Sequence, residues 1–399
     1  MLTYLTSGES HGPQLTAVMD GLPSGLSVNI DQINFQLARR QKGYGRGGRM
    51  KIENDQVQIV SGIRGGVTIG GPITFVIPNR DWVNWKRIMH PVNDLPDDLS
   101  PGERRLAYQT SCPRPGHADL AGAVKWNHHD MRNVLERASA RETAARVALG
   151  ALSRQLLEHF GVSIASHVVR IGPVALDRKS DLSDLGLVTS VTEASEVRCL
   201  DKETGERMKD AIDEAKEAGD SLGGVAEIII RGLPVGLGGF SQWYDRLDGQ
   251  LAGAMMAIHS VKGVEIGMGF EMATRHGSEV HDQIFHDPEG SRNRKYFYRS
   301  SNNAGGIEGG ITNGEDIIIR VASKPISTLT RPLATVDVRS KEPAIAMVER
   351  TDNCVVPALA VIGETVASLV LAEAFLQKFG SDNMVETERN YRSFIKSEF

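Results

Sequence analysis

The 399-residue chain carries a net charge of −5 and contains only three cysteines. That length buries a sizeable core, in one large domain or in two or three smaller ones. Net acidity excludes a global attraction to nucleic acid or an anionic membrane, and Cys112, Cys199 and Cys354 are too few and too scattered for a disulfide framework or a Cys-x-x-Cys metal site.

No metal is therefore expected, and a reducing, cytoplasmic setting fits. The N-terminal Met1-Leu2-Thr3-Tyr4 lacks the basic region and apolar run of an export signal. Leu2–Thr6 and Leu15–Met19 read as short strands around the loop Ser7-Gly8-Glu9-Ser10-His11-Gly12-Pro13. That loop either presents Ser10 and His11 to a cleft or is a turn with a surface histidine. Asp20-Gly21-Leu22-Pro23-Ser24-Gly25-Leu26 then turns the chain toward a helix over Asp31–Gln41, with Asp31 as N-cap and Ile33 and Leu37 on one face. Gly43 stands at the position of a helix C-cap glycine. From Arg39 to Arg49 there are five cations and four glycines and no acid. Glycines let backbone amides approach a ligand, and arginines offer planar forks for phosphate or carboxylate. The run suits a small, multiply anionic molecule; a solvated loop and a single-stranded nucleic-acid binder share its composition.

Gln56–Ile63 alternates as a half-buried strand, and Ile73–Ile77 is another. Residues 78–113 lose all periodicity and carry five prolines, which fits a lid or a disordered insertion. Arg114-Pro115-Gly116-His117-Ala118-Asp119 is a rigid bend from which Arg, His and Asp project. His117 there is a general acid or one member of a pair that pins the loop. Ser139 and Glu142 have capping-box spacing ahead of a helix ending at Gly161, and Arg137 and Arg141 flank its start as an anion site would require.

Val162–Ile171 reads as a strand, and residues 174–200 give no reading. Glu206–Ala218 is amphipathic with a charged outer face and no chemistry. Gly232-Leu233-Pro234-Val235-Gly236-Leu237 repeats the earlier turn at five of six positions, again between a strand (Val225–Ile230) and a helix (Asp245–Ile258). Strand, turn and helix in the same order indicate two related halves of an α+β fold. The glycine-rich loop Ser300–Gly310 lacks the Lys-Ser/Thr ending of a phosphate loop, and no Gly-x-Gly-x-x-Gly follows a strand. Lys324-Pro325-Ile326-Ser327-Thr328, after the strand Ile317–Val321, suits a phosphate or a ring edge, or is an ordinary polar turn. Pro357 opens an apolar helix to Phe379; Glu364, Glu373 and Lys378 within it favour a buried core helix over a membrane span. The charged tail after Gly380 is expected to be peripheral.

Taken together, Gly8–Gly12, Gly43–Arg49, Arg114–Asp119, Ser139–Thr143, Gly309, Lys324–Ile326 and Glu349–Asp352 resemble the chorismate synthase family, in its order, over nearly the whole chain. The resemblance implies a single domain, a sandwich of antiparallel sheets around central helices, with pseudo-repeated halves at about 1–170 and 220–380. It implies a homotetramer that converts 5-enolpyruvylshikimate 3-phosphate to chorismate and phosphate by anti-1,4-elimination, with reduced FMN and no net redox change. By position, Arg40, Arg46, Arg49, Arg114 and Arg141 would hold the substrate anions. Arg137, Ala138, Ser139, His259, Ser260, Gly309, Lys324, Pro325, Ile326, Ser327, Thr328 and Arg350 would contact FMN. Arg40 and Arg46 also match positions for NADP, so NADPH is a candidate flavin reductant. His11 and His117 would be the catalytic histidines, one protonating the departing phosphate and one keeping the flavin in its working charge state. Asp352 would assist proton removal through flavin N5, with Ser10 and Ser139 as proton relays. Ala138 stands where many relatives have serine, His259-Ser260 replaces a pair often Asn-Ala, and Ser327 replaces a usual proline. A nucleic-acid binder would interleave aromatics in the basic run, where Tyr44 stands alone. An ordinary flavin oxidoreductase is the remaining rival, separated by an anaerobic assay for chorismate and phosphate.

Overall fold

Alternate burial along Gln14–Asp20 and Ile73–Pro78 places Leu15, Ala17, Met19, Ile73, Phe75 and Ile77 on one face, as the period of two in a strand requires. In the computed structural model, which describes residues 1–47, 53–108, 111–177, 181–349 and 351–397, these strands lie at the centre of an antiparallel sheet. Its order is Thr3–Ser7, Gln14–Asp20, Ile73–Pro78, Gln58–Ser61. A second antiparallel sheet runs Val261–Ile266, Ile317–Ser323, Gly224–Arg231, Ser163–Ile171, Val174–Ala175. Its buried face carries Ile164, Val168, Ala226, Ile228, Ile230, Ile317, Ile319 and Val321. The fold is mixed helix and sheet.

The helices Thr143–His159 and Val356–Phe379 pack on each other. The first also meets the strands Gln14–Asp20 and Ile73–Pro78, and the second meets the other sheet. Their approach is close enough that a Cβ at Gly150 would collide with the Thr365 carbonyl, which explains a glycine in mid-helix despite its conformational cost. Val356–Phe379 is long and apolar enough to span a membrane, yet 89% of its most apolar stretch is buried inside the fold. It is the core helix the charges within it suggested.

One of those charges does structural work. Glu364 is fully buried. Its carboxylate accepts a bidentate pair from Arg39 at 2.6 and 3.0 Å, a third contact from Arg154 at 2.6 Å and the Ser166 hydroxyl at 2.5 Å. These partners come from the helix Ile30–Gln41, the helix Thr143–His159 and the strand Ser163–Ile171. Burial alone would raise the Glu364 pKa, but the two guanidinium groups and the hydroxyl overcome it and hold the carboxyl at about 2.

The repeated turns have matching structures. In the first, Thr68 Oγ1 accepts from Leu26 N at 2.9 Å and donates to Pro23 O at 2.6 Å. In the second, Thr312 Oγ1 accepts from Leu237 N at 2.9 Å and donates to Pro234 O at 2.7 Å. Gly25 N and Gly236 N bond to the carbonyls of Thr68 and Thr312. Each threonine ends a two-stranded hairpin, Ile63–Arg64 with Val67–Thr68 and Ile307–Glu308 with Ile311–Thr312. The hairpins read Gly-Ile-Arg-Gly-Gly-Val-Thr and Gly-Ile-Glu-Gly-Gly-Ile-Thr, a second repeat that the turn alone did not bring to notice.

Several local expectations change. The first helix is Ile30–Gln41 and Asn29, whose side chain accepts from Gln32 N, is its N-cap in place of Asp31. It ends through an extended Lys42, before Gly43. Residues 78–113 contain the helices Trp82–Trp85 and Pro101–Tyr108, with Trp85 and Leu99 buried. The helix expected over Asp245–Ile258 is a 3₁₀ turn, Trp243–Asp245, followed by Leu247–Met256. The tail is a helix, Met384–Lys396, and its Tyr391 joins Phe160, Phe375 and Phe379 in an aromatic cluster. The high charge of that segment belongs to its outer face.

Thr68→Val and Thr312→Val keep the side-chain shape and remove both clamp bonds, leaving a buried amide and carbonyl unpaired. Each should cost about 2–3 kcal/mol in urea unfolding, and the two costs should agree; a loss at only one position would contradict equivalent clamps. Glu364 sets a pH window. Its folded pKa lies below the ordinary value of 4.5, so its stabilisation is present above that pH and is lost as pH falls toward 2. The stability gap between wild type and Glu364→Gln should therefore shrink by about 3 kcal/mol across that interval; a gap unchanged down to pH 2 would contradict the assignment.

Candidate active site

A cavity of about 1220 Å³ opens between loops from both halves of the chain. Part of its wall is apolar, with Trp85, Leu135, Ile258, Ile326, Met347 and Leu359, and the remainder is densely cationic. Two of its histidines are each backed by a buried carboxylate.

His11 holds Nδ1 at 2.9 and 3.0 Å from the two oxygens of Glu136, and its backbone N–H donates to the same carboxylate at 2.8 Å. The His11 ring stacks on Trp85 with centroids 4.0 Å apart. Arg132 donates to Glu136 at 2.8 Å and lies over the Trp85 ring, 5.0 Å from its centroid. Burial would raise the Glu136 pKa, but the hydrogen bond and charge of His11, with Arg132, bring it below the ordinary value. Ser10 lines the cavity beside His11, and its backbone N–H is held by Glu136 O.

His117 follows Gly116, which adopts φ +78° in the Pro-Gly bend. Its Nδ1 is 2.5 Å from Asp119. Arg114 grips the same carboxylate at 2.8 and 3.0 Å and reaches Thr328 at 2.9 Å. Asp119 is buried, which opposes ionisation, yet these hydrogen bonds hold its carboxyl well below the usual range. The two readings of this bend are thus both present in one object: Asp119 pins the loop, and the pinned imidazole lines the cavity. Ser327 ties a third loop to it, donating to Gly116 O at 2.9 Å and accepting from Lys324 at 2.7 Å. That anchor stands in for the rigidity a proline would give.

Arg40 and Arg141 share one buried carboxylate. Arg40 donates to Asp55 Oδ2 at 2.7 Å, and Arg141 donates to Oδ1 at 2.5 Å while also gripping Asn79. Burial holds the Arg40 pKa below its ordinary value against the pull of Asp55, and Arg141 and Arg46 push the same way. Arg40 Nε is buried without a hydrogen-bond partner. Arg46 pairs with Asp352 at 2.9 Å, and Gly47 N donates to Asp352 at 2.5 Å. The base of this loop is fastened by Tyr44, whose hydroxyl donates to Asp213 at 2.7 Å.

Ala138 and Ser139 form part of the wall. Ser139 caps a 3₁₀ turn, Ala140–Glu142, by accepting from Arg141 N. Glu142 turns instead to Thr6 and Arg146, so the reciprocal capping box does not form. Arg137 spends its guanidinium on Thr6 and the Gly8 carbonyl, behind the wall. His259 and Ser260 line the cavity. Burial keeps His259 below its ordinary pKa against the attraction of Glu142, and its Nδ1 has no hydrogen-bond partner. Ser260 sits at φ +72° and its hydroxyl meets Ser323 at 2.7 Å. Lys324, Ile326, Ser327 and Thr328 line the site, and Pro325 lies between them outside its lining. Gly309, at the tip of its hairpin, is not brought to the cavity. Arg49 and Arg350 lie outside the described residues.

Glu136, Asp55, Asn79, Arg132 and Trp85 escaped the sequence reading. Asp55, Asn79, Trp85 and, through His11, Glu136 act on partners distant in sequence, so no local spacing marks those contacts. Arg132 and Glu136 do have the i, i+4 spacing of a helical ion pair, a signal that could have found them. The charge and shape of the cavity suit a ligand set with several anionic groups and one planar ring, because guanidinium forks and an apolar wall stand side by side.

A family model described as chorismate synthase matches residues 2–376. The chorismate synthase of Geobacter sulfurreducens is 54% identical over 99% of this chain and 99% of its own, and that of Desulforudis audaxviator is 54% identical over 99% and 98%. A solved structure titled as the crystal structure of chorismate synthase superposes with a TM-score of 0.77 at 40% identity, covering 99% of this chain and 97% of that one.

Asp55→Asn leaves Arg40 and Arg141 side by side without their shared counter-charge. It should destabilise the protein by about 3–5 kcal/mol. A multiply charged anion such as pyrophosphate should then raise the melting temperature more in the variant than in wild type. Equal shifts in the two proteins would contradict this pairing.

Proposed function

The chain belongs to the chorismate synthase family, and from that premise we propose how its own residues divide the work. The enzyme is a lyase that removes phosphate from 5-enolpyruvylshikimate 3-phosphate to give chorismate, the last step of the shikimate pathway. The observation that carries the assignment of parts is the pair of carboxylate-backed histidines, His11 on Glu136 and His117 on Asp119, in the wall of one arginine-rich cavity.

The substrate carries a phosphate and two carboxylates, and the reaction breaks a carbon–oxygen bond and a carbon–hydrogen bond on opposite faces of a ring. Arg40, Arg46, Arg114 and Arg141, with Arg49, hold the anions. The guanidinium planes of Arg40, Arg46, Arg114 and Arg141 are fixed by Asp55, Asp352 and Asp119, so little ordering of these four remains to be done on binding. His11 donates a proton to the departing phosphate, which would otherwise leave with a full additional charge. His117, held at Nδ1 by Asp119, balances charge in the site. Asp352, oriented by Arg46 and Gly47 N, keeps a proton-accepting carboxylate at the wall. Ser10 and Ser139 supply hydroxyls for proton relay.

The cofactor is reduced FMN. The residues fit it: His259 Nδ1 and Arg40 Nε are buried polar atoms without a hydrogen-bond partner in the protein, and the apolar wall accepts a planar ring. When bound, a reduced flavin supplies electron density to the breaking carbon–oxygen bond. Ala138, Ser139, His259, Ser260, Lys324, Ile326, Ser327 and Thr328 would hold it. The two sheets, the helices between them and the paired threonine clamps support a sandwich of two related halves within one domain. The active form is a homotetramer in the cytoplasm.

Anaerobic incubation with the phosphate ester and reduced FMN should release chorismate and phosphate in equal amounts, and phosphate without chorismate would overturn the reading. His117→Ala should reduce turnover by roughly 10²–10⁴-fold with little change in melting temperature, since this side chain is partly exposed to the cavity. A variant that melts much earlier yet turns over normally would make His117 a loop pin. Light scattering that gives anything but four chains would overturn the tetramer.

A further inference from the structure

We infer that Glu136 is a positioning residue for the elimination. It locks the His11 imidazole into the orientation and tautomer in which Nε2 faces the substrate. The inference rests on the reading of His11 as proton donor to the departing phosphate.

Three contacts converge on this ring. Both Glu136 oxygens lie within 3.0 Å of His11 Nδ1, so Nδ1 carries a hydrogen and donates it in either charge state of the ring. The same carboxylate accepts the His11 backbone N–H at 2.8 Å, and Glu136 O accepts the Ser10 N–H at 2.9 Å. One residue therefore fixes the main chain and the side chain of the loop that presents His11. The stacked Trp85 closes one face of the ring and prevents the flip that would exchange Nδ1 for Nε2. Trp85 is itself buried, and its indole donates to Asp81 at 3.3 Å.

Glu136 has no exposed side-chain surface. Arg132, four residues earlier, donates to it at 2.8 Å. The carboxylate therefore stays ionised while facing an imidazole in a water-poor pocket. With Nδ1 bonded to the carboxylate, Nε2 is the ring nitrogen left to carry the proton that is given to the substrate. As the carbon–oxygen bond breaks, the Nε2 proton passes to the leaving phosphate oxygen. His11 is left neutral with its remaining hydrogen on Nδ1, still bonded to Glu136, and recovers its proton from solvent. Glu136 gains and loses no proton. This arrangement parallels other histidines held by a buried carboxylate, where neutralising the acid leaves the geometry intact but presents the wrong tautomer.

The test is a double-mutant cycle on the full-length enzyme in the anaerobic assay. Glu136→Gln preserves size and should lower kcat by about 10²-fold, while KM for the phosphate ester stays within about threefold. Glu136→Asp retains the charge and should recover a substantial part of that loss. His11→Ala should lower kcat by at least as much as Glu136→Gln. In the His11→Ala background, Glu136→Gln should cost less than about threefold more, because a residue that acts through His11 has nothing left to position. If Glu136→Gln fails to fold, the same comparison is made in an Arg132→Gln parent, which removes the stranded cation.

A full additional loss in the His11→Ala background would make Glu136 a purely structural residue. Unchanged kcat in Glu136→Gln, with kcat reduced in His11→Ala, would overturn the role of Glu136 alone. Undiminished turnover in His11→Ala would overturn the proton-donor reading of His11 and this inference together.

Discussion

Guanidinium groups repel one another, and this site needs several of them in one pocket. A set of carboxylates makes that concentration stable: the buried Asp55 beneath Arg40 and Arg141, Asp119 beneath Arg114 and Glu136 beneath Arg132, and the partly exposed Asp352 beside Arg46. Each acid sits close enough to reduce repulsion while the arginines still line the cavity, so the pocket remains attractive to anions. The cost is desolvation of the acids, which burial would otherwise protonate; Arg40 and Arg141 offset it at Asp55, His117 with Arg114 at Asp119, and His11 with Arg132 at Glu136, so that all three stay below their ordinary pKa values.

The same device anchors the scaffold. Glu364, on the core helix, binds Arg39 from the helix that leads into the basic loop. Arg39 and Arg40 are neighbours with opposite assignments. Arg39 is turned into the core, toward Glu364 and Glu193, and Arg40 is turned toward Asp55 and the cavity. The rigidity of the site thus derives from a buried ion pair one residue away. The two threonine-clamped turns give further stiffness, each fixing a Gly-Leu-Pro turn to a hairpin by paired bonds.

The cavity histidine His117 shows why a local motif leaves two readings open. His117 in its bend looks equally like a loop pin and an acid, because a neighbouring Asp serves both roles. In the structure Nδ1 lies 2.5 Å from Asp119, Arg114 Nη2 approaches the two ring nitrogens at 3.1 and 3.5 Å, and the ring lines the cavity. Ser139 and Glu142 had the spacing of a capping box, but Glu142 found stronger partners in Arg146 and Thr6. A cation and a hydroxyl outcompeted a single backbone amide. Likewise Asn29 displaced Asp31 as helix cap, because the turn that enters the helix ends two residues earlier than the hydrophobic period indicated.

Sequence by itself determined the local and the repetitive features: the alternating strands Gln14–Asp20 and Ile73–Pro78, the core helix from Pro357, the Gly-Leu-Pro turns and the basic loop, together with the ordered motifs that identify the family. These depend on period, composition and order, which survive in one dimension. Asp119 backs Arg114 and His117 from within one bend, and Glu136 meets Arg132 at i, i+4; tertiary structure alone decided the long-range pairings of acid and base. Glu136 stands 125 residues from His11, and Asp55 lies 86 from Arg141. Arg154 and Glu364 are 210 apart. Electrostatic interaction falls with distance in space and ignores distance along the chain, so the partners that set charge, tautomer and orientation leave no local mark. Gly309 shows the converse: its motif was legible, and the fold placed it away from the cavity, because a hairpin clamped by Thr312 follows its own turn and not the site.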